Sequence, residues 1–316
     1  MDERMIVTAS PHITAPATTR KLMGTVVLAL IPCVLASAII FGTRALILEI
    51  VTVAASVLFE YLYTRLMKKP NPIGDLSAVV TGLILALNFP VSLPLWIAVV
   101  GAFVAIVITK QLFGGLGMNF ANPALVGRIV LFTGFAARMT AWVYPDMAVG
   151  QLSSATPLQV ENLGEVDLLD LFLGIHGGVL GETCILACLI GFVILVATKT
   201  ISPAIPVAYV GTVFVCFLLT GNGLHFALAE ILAGGLMFGA VFMATDYVTS
   251  PFTLKGKIIY GIFIGIVTFA IRYFGSMAEG VSYSILLGNL VTPYINDLTH
   301  QTPLGYVKPA KKAKEG

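Results

Sequence analysis

Hydroxyl, amide and guanidinium groups in two short stretches hold most of the chemical potential of this 316-residue sequence. The first stretch reads Gly150-Gln151-Leu152-Ser153-Ser154-Ala155-Thr156-Pro157-Leu158-Gln159. Its spacing predicts a helix start, with Thr156 as N-cap, Pro157 at the first helical position and Gln159 bonding back as the capping-box partner. A hydroxyl here is also an attachment point for a phosphate-bearing group, and the two roles are compatible. The second stretch runs from Gly114-Gly115-Leu116-Gly117-Met118-Asn119 through Asn122-Pro123 to Arg128. Asn122 followed by Pro123 starts a helix well. The glycines before it predict tightly packed, irregular backbone. Asn119, Asn122 and a helix N-terminus at membrane depth suit a bound cofactor or an ion path. A plain broken helix would look the same.

Other ionisable residues fall inside apolar runs, where they are costly. Arg128, Glu49 and Glu230 lie deep, and Asp246 ends a run. Glu60, Asp75, Glu182 and Arg272 sit near run ends and are expected to reach for the interface. Cys33, Cys184, Cys188 and Cys216 all lie in apolar sequence and read as small hydrophobes. Cys184 and Cys188 share a helix face, but nothing nearby completes a ligand set, so no metal is expected.

The elements that must position these groups are membrane helices. Charged residues are 11% of the chain and hydrophobic ones 58%, against about 25% charged in a soluble domain. Mean hydropathy is +0.96. A soluble enzyme, a nucleic-acid binder and a disordered chain are excluded. The sequence predicts an all-α polytopic membrane protein of about ten helices, at 22–41, 45–64, 74–90, 94–110, 119–137, 178–197, 203–221, 225–244, 258–275 and 280–297. The third and fifth are short or interrupted by Gly, Pro and Asn. The first 21 residues are polar, so the N-terminus reads as a retained segment rather than a signal peptide.

Basic residues orient the spans. With the N-terminus inside, Arg4, Arg20, Lys21, Arg65, Lys68, Lys69, Lys110, Lys199, Lys255, Lys257, Lys308, Lys311, Lys312 and Lys314 fall on the cytoplasmic side, which is 14 of the 18 basic residues. Five spans (22–137) precede a loop at 138–177 and five (178–298) follow it, between a cytoplasmic segment (1–21) and a basic tail (299–316). Odd parity makes the halves inverted repeats. The loop, with Thr156, is then extracytoplasmic.

Several segments together resemble one family, the D subunit of the Rnf complex with the related B subunit of the sodium-pumping NADH:quinone reductase. They are Ser10-Pro11-His12 with Met23, Val27, Ala29-Leu30 and Pro32; Gly114 to Arg128; and Gly256-Lys257, Gly261, Gly265, Arg272, Glu279-Gly280, Ile285-Leu286, Asn289, Pro293 and Ile295-Asn296-Asp297. The resemblance runs over nearly the whole chain. It implies that Ser153-Ser154-Ala155-Thr156-Pro157 is a flavinylation site, with FMN joined through its phosphate to Thr156. The family usually has an acidic residue six before the Thr and Gly two before it, where this chain has Gly150 and Ser154. The shorter length favours the Rnf side of the family.

The resemblance further implies a subunit of a redox-driven sodium or proton translocase in the bacterial cell membrane, moving electrons between ferredoxin and NAD. Its partners would be other Rnf membrane subunits, an iron–sulfur subunit that accepts ferredoxin electrons, an NAD-binding subunit, a second flavin-bearing subunit and a flavin transferase for maturation. Riboflavin, bound without a covalent link in the reductase relative, is a second cofactor to look for. Two alternatives remain open. One is a passive channel or carrier for a small polar solute with a urea-channel-like fold. The other is a purely structural subunit with Thr156 as an ordinary cap.

Overall fold

A computed structural model describes residues 18–69, 72–143, 167–174, 176–275 and 280–300. The first group of helices is α1 (Thr19–Phe41), α2 (Thr43–Leu66), α3 (Ser77–Leu87), α4 (Leu95–Phe103), α5 (Pro123–Gly134) and the short α6 (Ala136–Met139). A π-helical stretch, Val104–Gln111, prolongs α4. The second group is α7 (Leu168–Leu173), α8 (Ile185–Ala197), α9 (Ala204–Leu219), α10 (Leu224–Leu232), α11 (Leu236–Phe238), α12 (Leu254–Phe274) and α13 (Val281–Thr299). A second π-helical stretch, Gly239–Met243, prolongs α11.

Large apolar side chains cover the outside as well as filling the core. On α1, Leu28, Leu35 and Ile39 face outward, while small or polar Ala29, Cys33 and Ser37 are buried. This suits lipid outside and close helix packing inside. α1, α2 and α12 are long and apolar enough to cross a bilayer, and α10 with α11 makes a broken apolar unit bent by 62°. Five shorter apolar segments accompany them.

Within the first group α2 packs on α3 and α4, and the π stretch after α4 packs on α5. Within the second, α9 packs on α10 and α12, and α12 packs on α13. Gly261 and Gly265 allow α9 and α12 to meet closely, since an added Cβ at either would lie 2.7 Å from a side chain of α9. Contacts of α1 with α8 and of α5 with α13 join the two groups.

Four expected spans are shorter or interrupted. The 74–90 run yields a 3-10 turn at Ile73–Asp75 and then α3, because the chain leaves the helix at Asn88 and turns at Pro90, where the Leu93 N–H donates to the Pro90 carbonyl. The 119–137 run becomes α5 and α6, broken at Phe135. The 178–197 run becomes helical only at Ile185. The 225–244 run breaks between Leu232 and Leu236, at Ala233-Gly234-Gly235. Irregular backbone at such depth has to be buried in protein or line a cavity.

Candidate functional site

Two of these breaks meet. The Gly181 N–H donates to the Leu87 carbonyl at 2.7 Å, and the Leu180 N–H to the Phe89 carbonyl at 3.1 Å. Backbone groups freed by the end of α3 are thus satisfied by the segment before α8. Gly181 is required there, because a Cβ would lie 2.8 Å from Leu87 Cβ and 3.0 Å from its carbonyl oxygen.

Arg128, in the middle of α5, locks this crossing. Its Nη1 donates to Asn88 Oδ1 at 2.6 Å and its Nη2 to Glu182 Oε1 at 3.0 Å. Asn88 also donates to the Ile84 carbonyl at 2.6 Å. Arg128 and Glu182 are both buried. Glu182 is therefore half of an interior ion pair rather than an interfacial residue. Arg272 plays a similar part at the other break. It donates to the Glu230 and Ala233 carbonyls at 2.5 and 3.3 Å and to Glu230 Oε2 at 3.2 Å. A cation on the last carbonyls of α10 complements that helix end.

A third buried pair lies beside the first π stretch. Lys110 Nζ donates to Glu60 Oε1 and Ser77 Oγ, each at 2.6 Å, and Gln111 Nε2 donates to the same Glu60 oxygen at 2.7 Å. Glu60 is 0% and Lys110 2% exposed. The sequence places both at or beyond the membrane boundary, and the structure instead buries them together. The i→i−5 bond from Leu112 N–H to the Val107 carbonyl belongs to a wider helical turn, a feature often found at functional sites.

Lys110 borders a partly open cleft with a cavity volume of about 90 Å³, at the end of the bundle where α1 begins. Asn119, Asn122, Ser77, Thr81, Asp246 and Tyr247 add polar groups, and Met23, Ile84, Leu195, Val241 and Phe242 make apolar walls. Such a lining suits a flat, partly polar ring. Asn122 is the N-cap of α5 with Pro123 next, as its sequence predicts, and its Oδ1 accepts from the Ala124 and Leu125 N–H groups. The helix start is therefore largely satisfied by its own cap. Asn122 Nδ2 reaches the Met243 carbonyl at 3.3 Å, tying α5 to the second π stretch. Asn119 donates to the Ala121 carbonyl at 3.0 Å.

The residues singled out in sequence thus separate. Asn119 and Asn122 line the cleft. Arg128, nearly two turns along α5, serves the crossing instead. Ser153, Ser154, Ala155, Thr156 and Pro157 lie outside the described residues. Sequence reasoning misses Asn88, Ser77 and Gln111, and takes Lys110 only as a marker of topology. Steps of three and four between buried polar residues on α2 are the available signal.

Near-complete likeness to known proteins accompanies this geometry. A profile described as the NQR2, RnfD, RnfE family matches residues 6–305. The chain is 43% identical to the D subunit of the Na(+)-translocating ferredoxin:NAD(+) oxidoreductase complex of Acetobacterium woodii, over 98% of both chains. It is 37% identical to the D subunit of the proton-translocating ferredoxin:NAD(+) oxidoreductase complex of Clostridium ljungdahlii, over 95% of this chain and 96% of the relative. It is 34% identical to the D subunit of the ion-translocating oxidoreductase complex of Actinobacillus succinogenes, over 95% and 98%.

Proposed function

The chain belongs to the NQR2, RnfD, RnfE family, a multi-pass membrane protein by its apolar helices, and from that premise we propose its task. It is the membrane subunit of an ion-translocating ferredoxin:NAD+ oxidoreductase complex in the bacterial cell membrane. It carries FMN as a phosphoester on Thr156, in a loop on the extracytoplasmic face. The observation that carries this reading is the full-length likeness to the D subunits of three ion-translocating complexes.

The matched packing order supports two inverted five-helix repeats. In the first group α2 packs on α3 and α4, and α4 meets α5; in the second α9 packs on α10 and α12, and α12 meets α13. Both groups also hold a short helix ending at a break under an arginine, Asn88 under Arg128 and Ala233 under Arg272. The cleft suits a second, non-covalent flavin. Lys110, Asn119 and Asn122 would orient its polar edge, and Met23 and Phe242 would cover its ring. A flavin can pass electrons one at a time, while the protein sets its position and potential. Moving one charge against 100 mV takes about 2.3 kcal/mol, a quantity that one electron falling through about 100 mV supplies. NAD and iron–sulfur sites belong to partner subunits, and a flavin transferase loads Thr156.

The test is a denaturing gel under ultraviolet light, from cells that make the transferase. The wild-type band should fluoresce and the Thr156→Ala band should be dark. A dark wild-type band, or a fluorescent variant, refutes the attachment.

A further inference from the structure

The buried face of α2 is polar along most of its length. Glu49, Thr52, Ser56, Glu60 and Thr64 are all buried, and their spacing puts them on one stripe. Glu49 and Glu60 are about 16 Å apart along the axis. α9 takes the same place in the second group, yet its buried stripe is Ile205, Tyr209, Val213 and Phe217. Packing of this kind does not demand carboxyls, and ionisable groups at this depth mark ion and proton routes.

At Glu49 the proton can be placed by counting hydrogens. The Ser37 hydroxyl lies 2.6 Å from Glu49 Oε1 and 2.8 Å from the Val34 carbonyl oxygen. Its one hydrogen makes one full hydrogen bond, or two weaker shared ones. Two full bonds at these short distances need a second hydrogen, carried by the Glu49 carboxyl. Glu49 Oε2 is buried with no partner. The elements packed on α2 bring few charges. α1 offers Cys33, with Arg20 and Lys21 exposed in its first turn, far along the helix from Ser37; the π stretch offers Lys110, bound to Glu60, and the turn before α3 offers Asp75, which accepts from the Ser77 N–H. Arg44, on α2 itself, donates to the Leu93 carbonyl. Thr52 and Ser56 give their hydrogens to the Leu48 and Thr52 carbonyls, which leaves their lone pairs to accept. Gly82 of α3 presses on this stripe, where a Cβ would sit 2.9 Å from Ser56 Oγ. Such close contact suits a proton better than a hydrated cation.

We propose that Glu49 is a proton-exchanging carboxyl, and that Thr52 and Ser56 link it toward Glu60 as a proton route through the first group of helices. Glu49 loses a proton on one side and regains one from the other, and no electrons move. Its part in transport rests on the translocase reading; its proton binding does not.

Dicyclohexylcarbodiimide tests the binding. It adds across a buried carboxylic acid, whose proton moves to a carbodiimide nitrogen, and rearranges to a stable acylurea with nothing lost. In the purified complex, peptide mapping should place the adduct on Glu49 and not on Glu60. No adduct at Glu49 overturns the proposal. So does protection of Glu49 by sodium, which would make it a sodium ligand. In proteoliposomes, Glu49→Gln should lose proton uptake per NAD+ reduced, and Glu49→Asp should keep part of it. Undiminished uptake in a folded Glu49→Gln complex refutes the route. Absent ion uptake in the wild type would instead sink the translocase reading and leave the labelling result standing.

Discussion

Removing the charge of Glu60 while keeping its shape isolates what the Lys110 pair contributes. Glu60→Gln keeps an oxygen that can accept from Gln111 and Lys110 but strands the ammonium of Lys110, which is 2% exposed, without a counter-charge, beside Ser77 Oγ at 2.6 Å. Breaking a buried pair from one side costs about 3–5 kcal/mol. Glu60→Gln and Lys110→Met should each lose stability in that range. The double variant should recover most of the loss, since neither charge is stranded. Equilibrium unfolding in mixed micelles reads this out through the buried free thiols Cys33 and Cys188, which react only on opening. Single variants within about 1 kcal/mol of wild type, as for exposed pairs, with losses that add in the double, would refute a buried, mutually dependent pair.

Two further outcomes follow from the crossing and the segment before α8. Gly181→Ala should destabilise by about 1–3 kcal/mol, since its Cβ would meet Leu87 at 2.8 Å; an unfolding curve unchanged from wild type contradicts the close approach. Burial holds the His176 imidazole below its ordinary value of 6.5, partly offset by backbone contacts with Gly177 and Thr183 and by Asp170. Below that pH the unfolded chain takes up a proton that the folded one refuses, so stability should fall as pH drops through about 6. His176→Gln should flatten that part of the curve, and an unchanged slope would remove His176 as its source.

Much of the scaffold was legible because hydropathy reports burial in lipid. α1, α2 and α12 emerge close to their expected bounds, and Asn122-Pro123 starts α5 as its cap chemistry requires. Hydropathy does not separate helix from extended chain, so the paired segments around Asn88 and Gly181 looked like continuations of spans. Their backbone groups find partners across the fold, which no local pattern encodes. The same holds for the charges. Glu60 meets Lys110 fifty positions away, and Glu182 meets Arg128 fifty-four away. Near the end of a run, each looked like an interfacial residue. The steps of three and four from Glu49 to Thr64 on α2 are present in the sequence, but the burial of that stripe and the contacts at Ser37 come from the structure.

The proposed function requires that electrons pass through a flavin on Thr156 while an ion crosses the membrane. The direct measurement uses the whole complex in proteoliposomes, with reduced ferredoxin and NAD+, and follows NADH formation and ion uptake together. Wild type should do both, and Thr156→Ala, assembled with all its partners, should lose both. A fully assembled Thr156→Ala complex that still reduces NAD+ and takes up ions would contradict the account.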